Sequence, residues 1–432
     1  MAAELSADEI KPSLKTHAWF SVIWLIYLID WADRFAISAV LPAIKEEFAL
    51  SDTQLGLMSG SLFLGLALLA VPCGLAVDRF SRKYMITLMT LVWSAATWGT
   101  GMARSFTELM LARVLLGAGE AGYNPAGYAL IAAWYPARLR GTMVGLFNSA
   151  QPIGVCVGVV AAGYLAASYG WRAVFGVLAI PGILLALAML FAPDYKVRKI
   201  DQAGPGAKAP GIAATLGFIA RNRTLQLIYL AQLPITFYII STAIWGTTFF
   251  VRQFGLSITD AASVIGLISL LAGFGAVFGG MLSDRLAKGN PRARVSVCLL
   301  FLVVPLVLHS AAYLGSLQGL SLWMCIALFA LGQCFAAANW GTLVAAGMDQ
   351  SPVQYRASVQ SFMPLCQALA ALCAGVVSGM LSDAIGLTLA LEVILVAGML
   401  SAMLLLNAAR ASYDRDHQLQ RRAGQYVLEL AK

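Results

Sequence analysis

The chain has 432 residues, 60% of them hydrophobic and 12% charged, with a formal net charge of +8 and a mean hydropathy of +0.78. Soluble domains carry about twice that charged share, so the composition excludes a soluble enzyme, a secreted disulfide scaffold and a disordered chain. The surplus of cations does not point to nucleic acid, because the lysines and arginines sit in short loops between apolar stretches.

Those stretches predict an all-α membrane protein with twelve transmembrane helices, over 18–44, 54–77, 84–104, 108–133, 142–168, 171–193, 224–252, 258–282, 294–315, 320–347, 358–382 and 386–409. Loop charge then orients the chain. Twenty-three lysines and arginines fall in the tails and loops of one side, and four (Lys45, Arg104, Arg172, Arg252) in those of the other. The rich side is expected to be cytoplasmic, with both termini there.

Residues 1–17 carry mixed charge without a cleavage site and read as a cytoplasmic N-tail, not a signal peptide. The first six spans, 18–193, form an N-terminal bundle. Ionisable residues inside a span cost about 2.5–3.5 kcal/mol each at its centre on insertion scales, and they face a bundle interior or a wet cavity. The first span has three. Asp30 and Arg34 are spaced i,i+4 and can pair on one face, with Asp33 beside them. After the second span comes Gly74-Leu-Ala-Val-Asp78-Arg79-Phe-Ser-Arg82-Lys83. In the fourth span Arg113 and Glu120 lie two turns apart on one face, and Gly117 between them permits close approach of another helix. The fifth offers the polar pair Asn148 and Gln151.

Residues 194–223, rich in Gly, Pro and charge, read as a cytoplasmic linker. A C-terminal six-helix bundle over 224–409 follows. Its seventh span carries Tyr238, Thr242 and Trp245 at i, i+4, i+7, and its tenth carries Asn339. These polar and aromatic faces can bond and stack on a ligand; the alternative is interfacial belt and interhelical glue. After the eighth span comes Gly280-Met-Leu-Ser-Asp284-Arg285-Leu-Ala-Lys288, which repeats the Gly, Asp, Arg and second cation of the first motif at an offset of 206 residues. Matching loops at one offset mark parallel duplicated halves. His309 and Glu392 read as structural, and 410–432 as a cytoplasmic C-tail with a short surface helix.

The seven cysteines are odd in number and lack metal spacing, and the three histidines have no ligand partner among themselves. There is no His-Glu-x-x-His, Gly-x-Ser-x-Gly or phosphate-binding Gly-x4-Gly-Lys-Ser/Thr element. No metal, no cofactor and no enzymatic activity are therefore expected.

The twelve spans, the central linker and the paired loop motifs resemble a transporter of the major facilitator superfamily. Asp33-Arg34, Arg113-x6-Glu120 and Phe147-Asn148-Ser149 resemble the anion:cation symporter branch. Gly119-Glu-Ala-Gly-Tyr-Asn-Pro-Ala126, Trp245 with Phe250-Val-Arg252, and the segment from Gly280 to Pro291 resemble the spinster-like branch. The fifth span lacks the Gly-Pro pair of drug/proton antiporters. The resemblance implies that spans one and four line a central cavity, in which Arg113 is the principal anion ligand and Arg34 an auxiliary one. Asp33 and Glu120 would then be coupling carboxylates, with Asp30 beside them. An anion that engages an arginine leaves a carboxylate without its counter-ion, which links anion entry to proton entry. The alternative is a closed ion-pair network that only fastens the helices. The two loop motifs (Gly74, Asp78, Arg79, Arg82; Asp284, Arg285) would gate the cycle.

The expected function is secondary active transport by alternating access: symport of a small organic anion with H⁺, or with Na⁺ as the alternative coupling ion, across the bacterial inner membrane. The protein is expected to act as a monomer surrounded by membrane lipid. A spinster-like carrier of lysophospholipid or sphingoid phosphate is the alternative, with the same arginines holding the phosphate.

Overall fold

The computed structural model describes residues 13–193, 212–286, 292–352, 355, 359 and 362–430, and these are helical almost throughout, without strands. They divide into two compact units. One is drawn from Met1–Lys199, Ala243–Leu270 and Gly375–Asp383, the other from Ile200–Thr242, Leu271–Ala374 and Ala384–Lys432. In chain order the helices are α1 (Leu14–Phe48), α2 (Asp52–Arg79), α3 (Arg82–Met102), α4 (Phe106–Glu120), α5 (Tyr123–Trp134), α6 (Ala137–Asn148), α7 (Ala150–Tyr169), α8 (Trp171–Met189), α9 (Ile212–Arg221) and α10 (Arg223–Phe254). Then follow α11 (Ile258–Leu286), α12 (Ala293–Leu317), α13 (Leu322–Asp349), α14 (Phe362–Ile385) and α15 (Leu387–Leu430).

The starts of the helices follow from local chemistry. Ser13 and Ser51 open α1 and α2 with capping boxes closed by Thr16 and Gln54, and the Ser105 hydroxyl accepts from the Glu108 N–H at the head of α4. Two expected spans are each interrupted, the fourth near its middle and the fifth nearer its start. The fourth is α4 plus α5, with the break at Ala121-Gly122; the fifth is α6 plus α7, with the break at Ser149. In both a proline sits just beyond, Pro125 and Pro152. Its ring clashes with the carbonyl four residues back and it offers no N–H, so the ladder opens there.

Twelve spans account for the fold: α1, α2, α3, α4–α5, α6–α7, α8, α10, α11, α12, α13, α14 and α15. Nine helical stretches among the described residues are long and apolar enough to cross a membrane by length and composition alone. Two of the others fall short for reasons that concern the site. The middle of α1 is charged (Asp30, Asp33, Arg34), and the break limits α4 to 15 residues.

Two sequence expectations are revised. Part of the 194–223 linker is helical: α9 sets Phe218 and Ile219 against a buried cluster of Leu225, Tyr229, Val359 and Met363; residues 194–211 lie outside the described ones. The C-tail is not a separate surface helix, because α15 runs unbroken from Leu387 to Leu430. No proline or glycine pair interrupts it where the apolar stretch ends.

In the first unit, α2 and α4 approach so closely that a Cβ on Gly117 would lie 1.9 Å from the Leu62 carbonyl oxygen. Only glycine fits there, and the contact fixes the height of Arg113 one turn earlier. At one end of this unit, Trp171 and Arg172 of α8 bond Glu47 at the end of α1 at 2.5–2.6 Å. The Arg172 guanidinium, and after it the Trp171 indole N–H, hold the Glu47 carboxyl below its ordinary value.

Candidate functional site

The charged residues of α1 and α4 converge within the first unit. Arg34 is the hub: its Nη2 stands 2.7 Å from Glu120 Oε2 and 3.2 Å from Asp30 Oδ2. Its guanidinium also lies over the Trp31 ring, 4.7 Å from the centroid, an arrangement that stabilises a desolvated cation. The expected i,i+4 pair of Asp30 and Arg34 forms. The expected proximity of Arg113 and Glu120 does not become an ion pair, since Glu120 turns to Arg34 of the neighbouring helix.

Arg113 has a different environment. It is 1% exposed and donates from Nη2 to the Arg34 carbonyl at 3.1 Å. Among the described residues its Nε and Nη1 find no partner, and none of their carboxylates makes an ion pair with it. A buried guanidinium satisfied by one carbonyl carries most of its desolvation cost uncompensated. Asp33 is the mirror case. It is fully buried, with one oxygen accepting from the Thr97 hydroxyl of α3 at 3.2 Å and the other without a partner among the described residues.

Both arginines face one narrow cleft, whose walls include Ser38, Ser59, Phe63 and Ile244. Arg34 and Arg113 are thus set within the interior of the first unit. Beside them runs a polar and aromatic wall. The Tyr128 hydroxyl donates to Asn148 Oδ1 at 2.8 Å, the Gln151 amide donates to the Tyr27 hydroxyl, and Tyr27 stacks on Phe147 with centroids 4.4 Å apart. Asn148 and Gln151 flank the break at Ser149, and neither is among the residues that line the cleft.

The remaining candidates do not join this cluster. Trp245 belongs to the first unit but is fully buried, its indole N–H donating to the Ser378 hydroxyl at 2.7 Å. Tyr238 lies in the second unit, where its hydroxyl meets His309 Nδ1 while His309 Nε2 faces the Phe329 carbonyl at 3.2 Å. Thr242 is one turn further along α10. Asn339, also in the second unit, is fully buried with both amide atoms unpartnered among the described residues. Gly74 lies within α2 and Arg82 starts α3, while the side chains of Asp78 and Arg79 lie outside what the structure describes. Asp284 is bonded by Arg294 at 2.7 Å, and Arg294 also reaches Asp349 at 2.8 Å; Arg285 closes α11. Lys288 lies outside the described residues.

Sequence reasoning missed the partners more than the principals: Thr97 for Asp33, Trp31 for Arg34, Tyr27 for Gln151, His309 for Tyr238. Only Trp31 had a local signal, three residues before Arg34 on the same helix. The others come from distant segments with no shared spacing.

The sequence model of the Major Facilitator Superfamily matches residues 23–370. The chain belongs to that superfamily. Major Facilitator Superfamily membership makes it an integral membrane transporter, as the twelve spans, the linker and the paired loop motifs led one to expect, and not an enzyme. Its relatives include the hexuronate transporter of Bacillus subtilis, 27% identical over 68% of this chain and 70% of that one. A probable galactarate/D-glucarate transporter of the same organism is 28% identical over 77% and 79%. The human protein spinster homolog 1 is 30% identical over 74% of this chain and 64% of that one. Among solved structures, a bacterial homolog of the human lysosomal transporter Spinster, inward-facing and unoccupied, aligns with a TM-score of 0.81. It is 23% identical, over 94% of this chain and 98% of that one. The D-xylose-proton symporter aligns at 0.72 with 16% identity, over 90% and 97%. Both show the shared fold.

Proposed function

We propose that this superfamily member is a proton-coupled symporter of an organic anion of the carboxylate class. The observation that carries the reading is Arg113: a buried guanidinium with two N–H-bearing nitrogens unpartnered, on the cleft that Arg34 also lines. An anion is the ligand that would satisfy both, and a carboxylate matches the planar fork. The relatives named for hexuronate and galactarate/D-glucarate transport support this choice.

Proton coupling follows from the way the carboxylates share cations. Glu120 and Asp30 both rely on Arg34. A substrate carboxylate that recruits Arg34 strips Glu120 of its partner, and a proton then restores neutrality at a buried carboxylate. Asp33, which makes no ion pair among the described residues, is the second coupling carboxylate. Asn148, Gln151, Tyr238, Thr242, Trp245 and Asn339 are the further residues that would bond or stack on substrate. The loop motifs, with Asp78 and Asp284 as their acidic residues, would gate that cycle. Loop charge supports a bacterial inner-membrane orientation with both termini cytoplasmic, and one copy carries the whole charge cluster, which supports a monomeric carrier. Na⁺ is the alternative coupling ion.

The second reading is a carrier of lysophospholipid or sphingoid phosphate, favoured by the 30% identity to protein spinster homolog 1. Ligand-induced thermal shift of the purified protein separates the two. Sugar acids should stabilise it, and the shift should vanish in Arg113→Ala. A shift with lysolipids and none with sugar acids would move the assignment to the second reading.

A further inference from the structure

One buried carboxylate outside the cleft gathers partners from three other segments. Asp52, at the head of α2, is 3% exposed. Arg252, near the end of α10, grips it with two parallel bonds at 2.6 and 2.7 Å. Lys45 of α1 reaches it at 2.5 Å, and the Ser382 hydroxyl of α14 donates at 2.5 Å. Next to it the traffic runs the other way: Asp383 of α14 accepts from the backbone N–H of Asp52 and Thr53 at 2.9 and 2.8 Å and from the Thr53 hydroxyl at 2.6 Å. A carboxylate at the N-terminus of α2 complements its orphan donors and its dipole.

Below this cluster α2 and α14 cross backbone to backbone. A Cβ on Gly56 would lie 1.9 Å from the Gly375 carbonyl oxygen, and one on Gly379 would lie 2.3 Å from that of Asp52. The cleft of Arg34 and Arg113 lies deeper along the same helices, with Ser59 of α2 and Ile244 of α10 in its walls.

Charge placement adds an independent argument. Lys45 and Arg252 are two of only four cations on the side where the loops are poor in them. Cations are disfavoured there, and both are spent on the same carboxylate. We propose that Asp52 is the bolt of an outer latch: Arg252, Lys45 and Ser382 hold the ends of α10 and α14 against α1 and α2, and the latch must open before the cleft communicates with the outer side. An ionic bolt suits a reversible closure. Charged groups gain strong bonds when it is shut and water when it is open, so neither state is overwhelmingly favoured. An apolar seam has no such compensation on opening.

The latch does not depend on what the carrier moves, and its test needs no substrate. With the seven native cysteines replaced by serine, a Ser59→Cys reporter is treated with a membrane-impermeant maleimide outside right-side-out vesicles. Asp52→Asn should raise the labelling rate at least fivefold. Arg252→Gln should raise it more than Lys45→Gln, because it removes both parallel bonds, and Arg252→Gln should add nothing in the Asp52→Asn background. Should Asp52→Asn fail to fold, Arg252→Lys keeps the charge but loses the fork, and labelling should still rise at least twofold. Unchanged labelling in folded variants, additive effects of the two substitutions, or a rise seen only with reagent on the inner side would overturn the proposal.

Discussion

The two arginines of the cleft have opposite energetic status, and this separates structure from function at single residues. Arg34 pairs with both Glu120 and Asp30, at 2.7 and 3.2 Å. Removing one partner of a buried pair leaves an uncompensated charge and costs about 3–5 kcal/mol. Arg34→Ala should therefore lower thermal stability sharply, whatever it does to transport. Among the described residues Arg113 makes one bond to a carbonyl and no ion pair, so Arg113→Ala should leave the melting temperature unchanged or raise it while abolishing the ligand-induced shift. Unfolding in detergent with and without sugar acid checks both. A large loss of stability in Arg113→Ala would return that residue to a purely structural role. The same comparison weighs the closed-network alternative, which accounts for Arg34 but gives no reason to keep Arg113.

At the level of elements, the breaks in the fourth and fifth spans matter more than the helices they divide. Hydropathy reads each as one span, and so it is; the break was legible in Pro125 and Pro152 once the rule of the carbonyl four residues back is applied. Its consequence was not legible. Ending α4 at Glu120 frees that residue from the regular ladder and lets its carboxylate turn to Arg34 across to α1, where helical periodicity alone would leave it stacked over Arg113. Replacing Pro125 by Ala removes the clash and restores a donor, and proline in a helix interior costs about 3 kcal/mol. Pro125→Ala should raise the melting temperature by several degrees while uptake falls at least fivefold, because a continuous helix carries Glu120 away from Arg34. Uptake that follows stability upward would show that the break is incidental.

For the whole molecule, the sequence carried the architecture through three independent signals: apolar length, loop charge and the repeat that relates Gly74-Asp78-Arg79 to Gly280-Asp284-Arg285. It also carried the principal ionisable residues, because a charge inside an apolar span stands out wherever its partner lies. What it could not carry was the pairing. Asp33 with Thr97, Asp52 with Arg252 and Tyr238 with His309 span 64, 200 and 71 residues, and no periodicity within one helix reports contacts at those separations. Pairing is nonetheless what decides coupling, since a proton is required only if the anion and Glu120 compete for the same guanidinium. That competition has a measurable signature over the full cycle. In proteoliposomes with the membrane potential clamped at zero, the logarithm of the accumulation ratio grows with the imposed pH difference, with a slope equal to the protons carried per anion. Linked binding at Glu120 gives a slope of at least one. Glu120→Gln stays neutral when Arg34 is recruited, so it should exchange substrate across the membrane yet show a slope lower by one. An unaltered slope would remove Glu120 from the coupling and leave Asp33, which makes no ion pair among the described residues, as the site where the proton travels.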